Sequence, residues 1–153
     1  MPTKNHFIAQ MNIARSLASL DSPIMADFVK LLPVLNLLAE QSPRFVWRLK
    51  TSDQTPDDLE AYPDPLIIVN LSVWTDVSSL KSYFTTTTHQ KAFRNRHNWF
   101  EATTLRQAVL WWVDSESLPT ISEGKRRLSC LNEKGETNQA FSFSRLFPPP
   151  DAA

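Results

Sequence analysis

The sequence predicts an α+β fold, a ferredoxin-like β-α-β-β-α-β plait with an appended helix and strand, and three observations predict it. Stretches 6–12, 44–50, 66–74 and 107–113 carry the apolar alternation of strands. Stretches 21–40, 76–84 and 89–101 place apolar residues at helical spacing between them. Their order is that of the plait, and a further helix at 119–132 and a short strand at 140–144 follow it.

Each element has its own signal. In HFIAQMN, Phe7, Ala9 and Met11 fall on one face and Ile8, Gln10 and Asn12 on the other. Asp21-Ser22-Pro23 supplies a capping residue and a first-turn proline, after which Phe28, Leu31, Leu32, Leu35 and Leu38 share a helix face. Pro33 lies inside that helix and predicts a kink or break there, because proline has no backbone donor. Ser42-Pro43 ends the helix, and RFVWRLK reads as the second strand. Residues 51–64 are polar, with Pro56 and Pro63, and read as a loop. LIIVNLSVW is the strongest strand signal: Ile67, Val69, Leu71 and Val73 form an apolar face, and Ile68, Asn70, Ser72 and Trp74 a mixed one. Asp76 caps the next helix, with Val77, Leu80 and Phe84 on one side. The threonine run 85–88 breaks it before a second helix begins near His89. In the last helix Ile121, Leu128 and Leu131 point inward, Lys125, Arg126 and Arg127 point mostly outward, and Gly135 ends the unit. Residues 1–147 form one domain, and the proline-rich tail 148–153 is predicted to be disordered.

A plait carries its helices on one face of the sheet, so the other face needs a cover, commonly a second copy of the same sheet. The mixed face of Ile68, Asn70, Ser72 and Trp74 is too apolar for open water and too polar for a dry core. It predicts a cavity between two sheets.

Composition narrows the function classes. The chain has 16 basic and 16 acidic side chains, which argues against a general nucleic-acid binder. The single cysteine, Cys130, cannot form an internal disulfide and fits a reducing compartment. No apolar run is long enough for a signal peptide or a membrane span, and a cytoplasmic protein is expected. With only Gly124 and Gly135, a P-loop, a GxGxxG fingerprint and a GxSxG nucleophile elbow are all excluded.

The segments VNLSVWTDVSSLKSYF, THQKAFRNRHNWF, AVLWWVDSESLPTISEGKRRLSCLNEKG and AFSF together resemble the family described as domain of unknown function 3291. Its most specific parts here are His89, Trp99-Phe100, Trp111-Trp112, Pro119-Thr120 and Glu123-Gly124. That family is similar to the dimeric α/β-barrel superfamily, which includes small antibiotic-biosynthesis-type monooxygenases. The resemblance implies a homodimer. Family members commonly carry a glycine-histidine turn after the tryptophan pair; this chain has Ser115-Glu116-Ser117-Leu118 instead, so a histidine role there is absent.

Candidate site residues come from the strands and from the helix at 89–101. Near a helix start the dipole favours a neutral imidazole, so His89 is a candidate general base or ligand. The plainer reading is a histidine bonded to the threonine run. Phe93, Arg96 or His97, and Phe100 follow His89 at steps of about four residues and share its face. Arg96 is a candidate anion grip, with a solvated basic face as the plainer reading. His97 is a second candidate, or a packing histidine. His89 and His97 lack the i, i+4 spacing of a helical metal pair, and no metal site is expected. Asn12, Asn70 and Gln10 fall on the cavity face by alternation, where amides could polarise a substrate carbonyl or pair across a dimer interface. Trp74 and Trp112 are candidate stacking surfaces. Adjacent strand residues point opposite ways, so one of Trp111 and Trp112 faces the helices and the other the cavity.

The leading expectation is therefore an enzyme of secondary metabolism, monooxygenase-like or cyclase-like, acting on a largely apolar, carbonyl-bearing substrate without a bound cofactor. His89, Asn70 and Asn12 are its catalytic candidates; Trp74, Trp112, Arg96, His97, Phe93 and Gln10 are its binding candidates. Two alternatives stay open. In one, the protein binds or modifies heme with His89 as ligand; heme-degrading members of the related superfamily use an asparagine, a tryptophan and a histidine, which Asn12, Trp74 and His89 could imitate. In the other, it is a non-catalytic dimeric binding module.

Overall fold

The computed structural model describes residues 5–150. Strand β1 spans His6–Arg15, helix α1 Ala26–Gln41, β2 Phe45–Arg48, α2 Pro56–Ala61 and β3 Ile67–Trp74. Helices α3, Val77–Phe84, and α4, Thr87–Arg94, then precede β4, Ala108–Asp114, and α5, Ile121–Lys134. The strands form one sheet in the order β2-β3-β1-β4, antiparallel at every pairing. That is the strand order of the predicted plait.

The register fixes which residues share a face. Ile8 pairs with Trp74 and Trp112, Gln10 with Ser72 and Leu110, and Asn12 with Asn70 and Ala108. These residues form the front of the sheet. Ala9, Met11, Leu71, Val73, Val109, Trp111 and Val113 alternate with them and form the back.

The structure covers both faces with helices of this chain, where one helical layer was expected. On the front, Ile8, Trp74 and Leu110 pack with Ala39 of α1, Leu80 and Tyr83 of α3, and Phe141. On the back, Met11, Val73 and Trp111 pack with Ile121, Leu128 and Leu131 of α5 and Ala61 of α2. The mixed face was expected to look into a cavity against a second sheet. Ser72 and Trp74 are instead buried under this chain's own helices, while Asn70 stays exposed. The apolar stripe of α5 covers the apolar back face, while α1 and α3 bury the upper part of the mixed front. Gly124 faces the sheet where there is no space for a side chain: a Cβ there would run into Met11 and crowd Trp111.

Other corrections follow from short-range chemistry. The segment expected to be a loop contains α2, because Thr55 and Asp58 form a reciprocal capping box around Pro56. Pro33 does not break α1; Val29, whose carbonyl loses its helical partner, and Pro33 itself both lie on the exposed side. The threonine run does not merely interrupt the helices: Thr86 caps α4, and Thr87 and Thr88 lie in its first turn. That helix ends at Arg94 and gives way to a 3-10 turn, Arg96–Asn98. The final strand shrinks to a bridge between Leu110 and Phe141 at the edge of β4. Phe147 is held near that edge, because Trp112 Nε1 donates to its carbonyl at 2.8 Å. Of the tail predicted to be disordered, residues 151–153 lie outside the described residues.

Among the described residues, no helix is long and apolar enough to cross a membrane.

Candidate functional site

Strands β1 and β3 place a ladder of polar side chains on the front of the sheet. Gln10 is its centre and is only 2% exposed. Its Nε2 donates to Asn70 Oδ1 at 2.8 Å, to Ser72 Oγ at 3.3 Å and to Asn12 Oδ1 at 3.4 Å. Trp74 Nε1 donates to Ser72 Oγ at 3.0 Å. A buried amide needs such partners, and the strand register supplies them.

This network orients the two asparagines. Both turn their carbonyl oxygens toward the one donor, Gln10 Nε2, so both direct their NH2 groups away from it. Asn12 and Asn70 are directly opposite in the register. Opposed side chains on antiparallel strands stand about 5 Å apart at Cβ, close enough for two amides to reach one acceptor atom. Asn70 is exposed and Asn12 half-buried, so the pair sits where the buried ladder meets solvent. Neither NH2 group donates to another side chain or to the backbone among the described residues. Chemically, the arrangement offers a site for a carbonyl oxygen or an enolate.

An aromatic wall continues from the ladder. Trp74 is fully buried, with its ring 5.4 Å from that of Phe45 and 5.3 Å from that of Tyr83. His89 lies edge-on to Tyr83 at 5.1 Å and to Phe84 at 4.6 Å. Tyr83 donates its hydroxyl to the Leu35 carbonyl at 3.0 Å, and burial pushes its pKa up to about 12. The threonine run meets His89 through its backbone: His89 N–H donates to Thr86 Oγ1 at 3.4 Å, while the imidazole is left to the aromatic rings.

Burial holds the His89 imidazole below the usual histidine range, so it is neutral near pH 7. As pH falls, the unfolded chain takes up this proton before the folded one does. Stability from this residue therefore declines as pH drops through the usual histidine range toward the lower folded value. Replacing His89 with phenylalanine should remove that part of the pH dependence. Denaturant midpoints at about pH 7.5 and about pH 5.5 check it; an unchanged slope contradicts it.

The structure brings Gln10, Asn12, Asn70 and Trp74 together and joins Ser72 to them, which the sequence reading left out of the site. Tyr83, which stands between Trp74 and His89, was also missed. Of the set Asn12, Trp74 and His89, the tryptophan has no exposed surface and meets the histidine only through Tyr83. Phe93, Arg96 and His97 lie elsewhere, on an exposed surface. Arg96 stacks over the Phe93 ring at 3.9 Å and donates to the Phe93 carbonyl at 2.8 Å. Trp112 shares the front with Ile8, half-buried, with its N–H bound to Phe147. Trp111 faces α5 on the back. Among the described residues no group of three or more His, Cys, Asp or Glu side chains is placed to hold a metal ion.

Comparison with solved structures finds similar folds at low identity. A conserved protein from Methanosarcina mazei Go1 is 13% identical, with a TM-score of 0.49 over 72% of this chain and 93% of that one. SnoaB, a cofactor-independent oxygenase from Streptomyces nogalater, is 15% identical, with a TM-score of 0.47 over 74% of this chain and 97% of that one. A protein of unknown function from Nitrosomonas europaea is 10% identical, with a TM-score of 0.47 over 76% and 96%. No curated protein matches the chain. The family match is of another order, because it runs over residues 7–153 and so takes in the amide ladder, the aromatic wall and the docked α5 alike. The chain belongs to the family described as Domain of unknown function (DUF3291).

Proposed function

We propose that the protein is a small-molecule enzyme acting on a largely apolar, carbonyl-bearing substrate, with Asn12 and Asn70 holding the carbonyl oxygen. The observation that carries this reading is the paired outward NH2 groups, fixed by one buried donor. Monooxygenase-like and cyclase-like reactions of such substrates share a first step, removal of a proton beside the carbonyl. The negative charge then develops on the oxygen, where two preoriented donors stabilise it most. Tyr83 stands between His89 and the ladder, so in this reading the proton passes to water at the solvent-facing asparagine pair and not to His89. Gln10 acts as a positioning residue, holding both asparagines in the donating orientation.

An aryl β-diketone such as benzoylacetone tests the reading, because its enolate has an absorption band distinct from the neutral forms. The protein should raise the enolate fraction below the probe's solution pKa. Asn70→Ala and Asn12→Ala should each weaken this binding by roughly 10- to 100-fold, the range for losing one hydrogen bond to a charged group. No enolate band, or equal binding by wild type and both variants, removes the asparagines from the function. A Soret band on adding hemin, lost in His89→Ala, would instead move His89 to the heme-binding alternative.

A further inference from the structure

A groove of about 700 Å³ runs between α1 and α4. That volume lies within the range of small-molecule sites. Its apolar part is made by Leu31, Ala92 and Trp99, of which Trp99 is 7% exposed. Asp27 of α1 and Lys91 of α4 line it from the two helices. Neither makes a side-chain ion pair or hydrogen bond among the described residues, so the two opposite charges share the groove without joining each other. Thr88 adds a hydroxyl to the same lining.

We infer that this groove is a binding site for a small zwitterion with an apolar side chain, an amino-acid-like molecule. Its ammonium group would meet the Asp27 carboxylate and its carboxylate the Lys91 ammonium. Its apolar part would displace water from Leu31, Ala92 and Trp99. A simple anion or cation engages one of the two charges and leaves the other opposite a like charge or nothing. The lining residues are separate from the Asn12 and Asn70 ladder, so the inference stands apart from the proposed function.

The test is a titration of the isotope-labelled full chain by NMR with three probes: L-phenylalanine, phenethylamine and 3-phenylpropanoate. L-phenylalanine should shift the Ala92 amide and the Trp99 indole N–H saturably and bind most tightly. Asp27→Asn should weaken L-phenylalanine by about fivefold and abolish its advantage over 3-phenylpropanoate, the scale of one exposed charge contact. Lys91→Gln should do the same against phenethylamine. Both side chains are exposed, and the spectra report directly that each variant is folded. The inference is overturned if L-phenylalanine gives no saturable shift up to about 10 mM. It is equally overturned if the three probes bind alike, or if neither variant changes the order of affinities.

Discussion

Gly124→Val is expected to destabilise the fold by about 3 kcal/mol, the upper end of overpacking costs, because it adds a branched side chain where a helix meets the sheet with no room to spare. A Cβ at this position would run into Met11 Sδ, and would stand 3.1 Å from Met11 Cε and 3.3 Å from Trp111 Cη2. Both side chains are 0% exposed, so neither can swing into solvent to make space. Valine adds two further methyl groups to that contact and a branched residue to a helix interior. For a chain of this size the cost corresponds to a fall in Tm of roughly 6–12 °C. Alanine adds the Cβ that already meets Met11 Sδ, offset by about 1 kcal/mol of helix propensity, so Gly124→Ala should still destabilise, by less than valine. Thermal melts of the two variants decide the matter. A valine variant within about 1 kcal/mol of wild type would mean that α5 does not press on the sheet as described.

Asp58→Ala should cost about 3 kcal/mol, for a different reason. Asp58 is 7% exposed, and its carboxylate serves two helices at once. Oδ2 accepts from Thr55 N–H at 3.0 Å, closing the capping box of α2. Oδ1 accepts from Ile121 N–H at 3.3 Å, the first backbone donor of α5. Alanine loses a cap worth about 1 kcal/mol. It also orphans a buried N–H, which costs about 1–3 kcal/mol. Asp58→Asn keeps one acceptor and should recover part of the loss. Denaturant unfolding of both variants, with amide exchange along α5, is the measurement. Equal stability of alanine variant and wild type would show that Asp58 is not the link between the two helices.

These two sites show how unevenly the fold could be read from the chain. The strand signal at 66–74 gave β3 to within one residue, because its alternation is strict on the apolar face. Thr120 and Gly135 bracket α5 and its inward residues, since a helix cap and a positive φ are local demands. By contrast α2 has six residues, too few for apolar periodicity to register, and only its capping chemistry announces it. Helical spacing in the sequence runs in phase from His89 to Phe100. The actual helix stops at Arg94, and the 3-10 turn after it changes the angular step, so Arg96 and His97 leave the face that holds His89.

The candidate site divides in the same way. Alternation along β1 and β3 was enough to place Gln10, Asn12 and Asn70 on one face. It could not say that Asn12 and Asn70 are opposite each other, or that Gln10 turns both amides outward. Register across β1 and β3 decided that, and register depends on residues nearly sixty positions apart. Likewise the sequence by itself determined the elements, their order and the two-faced character of the sheet, because these follow from backbone periodicity and caps within a few residues. Only the tertiary structure decided which helices cover which face. An apolar stripe states that it must be buried and does not name its partner; the choice between the front and the back of the sheet rests on shape, and at Gly124 on the space of a single methyl group.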